Sequence, residues 1–84
     1  MDWHVEKFLV YLKVEKNYSV HTLTGYSNDL KEFHRFLGSI ALKDVDRDVL
    51  RRYLAQLNTN GLSKRTVSRR MAALRTFFRF LARE

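Results

Sequence analysis

The sequence predicts an all-α protein, a compact bundle of four helices, on three observations. Its 84 residues contain no Pro and only three Gly, so little interrupts helical hydrogen bonding. One helix-start pattern recurs three times: an apolar residue, a capping residue, and a second apolar residue four positions after the cap. Between these starts the apolar residues repeat at helical spacing. At this length one domain, 1–84, with one modest core is expected.

The first helix is expected over residues 2–16, with Val5, Phe8, Leu9 and Leu12 on its buried face. Trp3, Val10 and Val14 fall together on the other side, a placement that ordinary solvated helices avoid. Two explanations stand: isolated exposed apolar residues, with Trp3 folding back, or a contact surface for another protein.

The second helix is expected over 20–37. Tyr18, Ser19 and Leu23 supply its start, and Gly38 supplies a left-handed stop. Leu23, Tyr26, Leu30, Phe33 and Leu37 form its core stripe. Its first two turns group hydroxyls, an imidazole and a glycine: Ser19, His21, Thr22, Thr24 and Gly25, followed by Tyr26. That opening is either a cap alone or a second surface reading a ligand. A glycine inside a helix costs about 1 kcal/mol relative to alanine, so Gly25 marks either a close approach, by a ligand or another helix, or simple drift.

The third helix is expected over 47–60, started by Val45, Asp46 and Leu50 and stopped by Gly61, with Leu50, Tyr53, Leu54 and Leu57 buried. Asp44, Asp46 and Asp48 surround its start, where negative charge favours the helix dipole, and capping outweighs metal binding as their role. The fourth helix, over 64–83, starts at Leu62, Ser63 and Val67 and carries a core stripe of Val67, Met71, Leu74, Phe78 and Leu81.

Charge points to function. The formal net charge is +7, and from Gly61 onward seven basic residues face only Glu84, so that segment holds +6 of it. A positive field concentrated on one helix suggests a polyanion, nucleic acid first and an anionic membrane surface second. A solvated face explains charge but not clustering.

Away from its core stripe the fourth helix presents Arg65, Thr66, Ser68, Arg69, Ala72, Ala73 and Thr76, long cations among small residues that permit close approach to a DNA groove. Ser63, Lys64 and Arg65 are expected on backbone phosphates, and Thr66, Arg69 and Arg70 nearer base edges. Arg70 lies at the flank of the stripe, where its stem can cover the core while its head reaches solvent. Arg69 lies roughly 160° from the stripe, so its loss is expected to change stability by roughly 0.5 kcal/mol or less.

Other chemistries are excluded or unsupported. Without Cys there is no disulfide, Cys-ligated zinc or thiol nucleophile, and a reducing cytoplasm fits. His4, His21 and His34 lack metal-ligand spacing, so no metal or cofactor is expected. No apolar run approaches the roughly 20 residues that span a bilayer, and the first residues do not resemble a signal peptide. No phosphate loop, Ser-His-Asp set or carboxylate pair is present, and the chain alone is not expected to be an enzyme.

Taken in order, these residues resemble the N-terminal core-binding (SAM-like) domain of tyrosine recombinases and phage integrases, most closely the Xer type. The likeness is carried by Phe8, Leu9, Glu15 and Lys16; by Ser19, His21, Thr22, Leu23, Tyr26, Asp29, Leu30, Phe33, Phe36 and Leu37; and by Val45, Asp46, Tyr53 and Leu54. It continues through Gly61, Leu62, Ser63, Thr66, Val67, Arg69, Arg70, Ala73, Leu74 and Arg75 to the run from Phe77 to Leu81. Order and spacing together are specific; no single piece is.

The resemblance implies a clamp half that holds double-stranded DNA at a recombination half-site, with the second and fourth helices on the major groove. It also implies that other recombinase protomers are partners once assembled on DNA. Ser27 and Asn28 depart from the Arg residues common there in the family, which removes an expected phosphate contact. The family's catalytic Arg, Lys, His and nucleophilic Tyr belong to a following C-terminal domain, so none of Tyr11, Tyr18, Tyr26 or Tyr53 is expected to be the nucleophile. Met1 leads almost directly into the first helix, which implies the Xer layout without a preceding arm-binding domain. The competing reading is a helical protein-interaction module that mediates oligomerisation through Trp3, Val10 and Val14.

Overall fold

Ser19, Asp46 and Ser63 each close the start of a helix. The Ser19 hydroxyl accepts from the Thr22 amide at 3.3 Å, the Asp46 carboxylate from Val49 at 3.0 Å, and the Ser63 hydroxyl from Thr66 at 3.2 Å. Each satisfies a backbone donor that the helix leaves without a partner. The computed structural model describes residues 2–83. Its helices are α1 (Asp2–Val14), α2 (Val20–Leu37), α3 (Arg47–Thr59) and α4 (Lys64–Arg83).

The helix ends differ slightly from expectation. α1 stops at Val14 rather than residue 16, because Asn17 turns left-handed (φ 54°) and the Tyr18 amide folds back onto the Leu12 carbonyl at 3.2 Å. Gly38 and Gly61 take the positive φ their positions require, 58° and 75°. The segment between α2 and α3 contains a 3-10 turn, Leu42–Asp44, which the sequence did not signal.

α4 is the central element and packs against α1, α2 and α3. Three phenylalanines are completely buried: Phe8 of α1, Phe33 of α2 and Phe77 of α4. The Phe8 ring meets Phe77 at 5.3 Å, and Phe33 meets Tyr53 of α3 at 5.1 Å, both edge to face. Phe33 also meets Phe78 of α4 at 6.1 Å, so aromatic contact ties all four helices to one core.

Two helices are buried differently from their wheels. In α4 the deeply buried residues are Val67, Ala73, Leu74, Phe77 and Phe80, while Met71, Phe78 and Leu81 are half-buried. With neighbours on three sides, α4 buries a face wider than one stripe, and its centre lies roughly 70° from the expected line. In α3 the buried face is Val49, Tyr53 and Leu57, and Leu54 lies about 100° from its centre and is 37% exposed, which corrects the expectation for Leu54. Among the described residues no helix is long and apolar enough to cross a membrane.

Candidate nucleic-acid interface

α2 and α4 open alike, Ser-x-x-Thr in each case, and the two caps are built alike. Ser19 Oγ lies 3.1 Å from Thr22 Oγ1, and the Ser63 hydroxyl donates to Thr66 Oγ1 at 3.1 Å. Ser63 thereby commits its proton inside the protein, so the donors left at this end of α4 are the Thr66 hydroxyl, the first backbone amides and the exposed side chains of Lys64 and Arg65.

Between the two helices runs a groove of about 320 Å³, walled by His21, Thr22, Gly25 and Tyr26 of α2 and by Arg69, Ala72 and Ala73 of α4, with Asp29 beside Arg69. The structure therefore joins the two surfaces that the sequence marked separately. A Cβ built on Gly25 meets nothing within 4 Å, so close packing by another helix of this chain is not why glycine stands there.

The feature that the sequence reading missed lies at the groove's edge. Asp29 is buried, 4% exposed, and holds Arg69 by two hydrogen bonds, Nη2 to Oδ1 at 3.0 Å and Nε to Oδ2 at 3.2 Å. Arg69 is thus at the flank of the buried face rather than roughly 160° from it, because the α4 core is centred on Ala73 and Phe77. Its side chain stays 58% exposed. A guanidinium has five N–H donors; with Nε and one Nη2 proton engaged, both Nη1 protons and the outer Nη2 proton remain. The outer Nη2 proton and the Nη1 proton beside it form an end-on pair that suits a guanine edge or a phosphate.

Arg70 departs further from expectation. Only 22% of its side chain is exposed, and its Nε is buried 4.0 Å from Asp29 without a hydrogen bond to any described residue. Its head turns inward rather than to solvent, toward Asp29 and the buried Tyr53. Burial pushes the Tyr53 phenol above its ordinary range, and the Arg70 charge opposes that rise. One signal in the sequence could have exposed this cluster. Asp29 lies three residues after Tyr26 and four before Phe33, so it sits on the apolar face of α2, where a carboxylate needs a cationic partner.

On α1, Trp3, Val10 and Val14 are 63%, 59% and 69% exposed. Trp3 does not fold into the core; Lys7 Nζ stands 4.5 Å from its ring centroid.

The chain matches the family described as phage integrase, N-terminal SAM-like domain, over residues 5–84. It belongs to that family. This SAM-like domain is also similar to proteins named tyrosine recombinase XerC. It is 43% identical over 82 residues to one from Listeria innocua, covering 94% of this chain and 27% of the relative. It is 41% identical over 80 residues to one from Bacillus licheniformis, covering 92% and 26%. With one from Pelotomaculum thermopropionicum it shares 41% over 93 residues, covering 96% and 29%. The SAM-like domain therefore spans between about a quarter and a third of these relatives' length. No solved structure matches it.

Proposed function

We propose that this domain binds double-stranded DNA as the N-terminal clamp half of a tyrosine-type site-specific recombinase, with a separate C-terminal domain carrying out the breaking and rejoining of strands. The α2–α4 groove is the observation that carries the reading. It gathers His21, Thr22, Tyr26 and Arg69 on one surface, and the basic start of α4 adjoins it. Lys64 and Arg65 would hold phosphates, with Ser19 and Ser63 shaping the helix starts from which those contacts are made. Thr66 and the outer edge of Arg69 would face bases. Arg70 would act from within, beside Asp29, rather than at the DNA surface. A titration of the domain with duplex DNA at several salt concentrations tests the reading: log affinity should fall linearly with log salt, and a flat dependence or no binding would refute it.

A protein contact through α1 is a second surface, favoured by the exposure of Trp3, Val10 and Val14 on one face. It would face another protomer, or the catalytic domain, once the recombinase is assembled on DNA.

A further inference from the structure

The cationic side of α4 continues past the groove. At about 100° per residue, Arg65, Arg69, Thr76, Arg79 and Arg83 fall within a band roughly 80° wide along the whole helix. Where the band passes the end of α1, a cavity of about 190 Å³ opens among Lys16, Tyr18, Tyr11, Thr76, Arg79 and Arg83. Among the described residues its lining includes three cations and several hydroxyls, and no Asp or Glu.

Part of that lining is fixed. Arg83 Nη1 donates to the Tyr11 hydroxyl at 3.1 Å, and the Tyr11 ring lies 5.0 Å from that of Phe80. Tyr18 stacks on Tyr26 with 13° between ring planes. Lys16 and Arg79 are exposed, and neither forms an ion pair with a described residue. Tyr26 lines both this cavity and the α2–α4 groove, so the two are neighbours on one surface.

We infer that the cavity is a second anion site, which takes a phosphodiester of the DNA backbone a few nucleotides from the stretch held in the groove. The inference rests on the DNA-binding reading and extends it to residues outside the groove. Arg79 lies about 15 Å along α4 from Arg69, a distance comparable with about four nucleotides at 3.4 Å each. Two cations without an ion-pair partner among the described residues, beside hydroxyl donors, match the chemistry of a phosphate oxygen.

Arg79→Gln and Lys16→Gln, made separately, test this against a short random-sequence duplex over a range of salt. Each should weaken binding to that duplex and should reduce the salt slope by up to about 0.9, the value for one phosphate. Both should leave the melting temperature unchanged, since both residues are exposed. Arg35→Gln is the control: it removes the same charge from an exposed residue outside the cavity, 3.6 Å from Glu32, and should leave the slope nearly intact. If Arg79→Gln and Lys16→Gln change the slope no more than Arg35→Gln does, the cavity is not a phosphate site, although the groove reading survives. If the unaltered domain binds no duplex, both readings fall together.

Discussion

Arg69 of α4 and Asp29 of α2, forty residues apart in sequence, are joined by two near-parallel hydrogen bonds at 3.0 and 3.2 Å. The carboxylate is buried, so Arg69 supports the fold as well as facing the groove. Arg69→Ala should cost about 1–3 kcal/mol of stability. That is below the roughly 3–5 of a fully buried pair, because the guanidinium is partly solvated and Arg70 remains 4.0 Å away. Denaturation with urea measures it. A variant as stable as the parent would mean that Asp29 does not depend on this partner.

Asp29→Asn separates orientation from contact. The amide keeps the shape and one acceptor but loses the charge that clamps the guanidinium, while the net positive charge rises by one. Affinity for random duplex should hold or increase, and the ratio of specific to random affinity should fall by about 1–3 kcal/mol, the worth of one bidentate base contact. An unchanged ratio in a folded variant would make Asp29 purely structural.

Tyr53 offers a pH test. Its buried hydroxyl faces the Arg70 guanidinium without a well-formed hydrogen bond among the described residues, and burial raises its pKa above 10.0 against the lowering influence of Arg70. The unfolded chain then releases this proton first as pH rises, so the native state binds more protons in that window and stability falls from about pH 10 upward. Tyr53→Phe should shrink the alkaline loss relative to the parent. At neutral pH it should change stability by no more than about 1 kcal/mol, because the hydroxyl has no well-formed hydrogen bond to lose. Marked destabilisation at neutral pH would show that the hydroxyl has a partner in solution.

The helix count and nearly all helix boundaries were legible because caps and glycine stops are local: Ser19, Asp46, Ser63, Gly38 and Gly61 act on backbone groups within a few residues. Burial on α4 was less legible. The wheel selects the most regular apolar line, Met71 to Leu81, whereas three neighbouring helices bury a broader face that includes Ala73 and Phe80. The Asp29 and Arg69 pair was hidden for a related reason. Periodicity within one helix shows that a charge lies on an apolar face but not which distant residue answers it.

Trp3→Ala should leave stability and duplex binding of the isolated domain nearly unchanged, since the indole is 63% exposed and touches chiefly His4 and Lys7. In the full recombinase it should weaken the pairing of protomers on DNA, read as lost cooperativity in a gel-shift titration. Equal cooperativity in both proteins would leave the α1 face without a partner role.

Gly25→Ala should separate folding from recognition in opposite directions. Gly25 lies inside α2 and is absent from the positions of positive φ, and its added Cβ would meet nothing within 4 Å. Nothing in the folded chain therefore opposes the alanine, and its helix preference should stabilise the domain by about 0.5–1 kcal/mol. The same residue lines the α2–α4 groove between His21 and Arg69. If DNA lies against α2 at this point, a methyl group there holds the backbone off, and specific affinity should fall although the protein melts at a higher temperature. The two readouts cannot share one cause, because a more stable fold alone would leave binding equal or better. Higher stability with undiminished specific binding would show that no DNA approaches Gly25 closely, and the contact surface would then lie toward α4 alone.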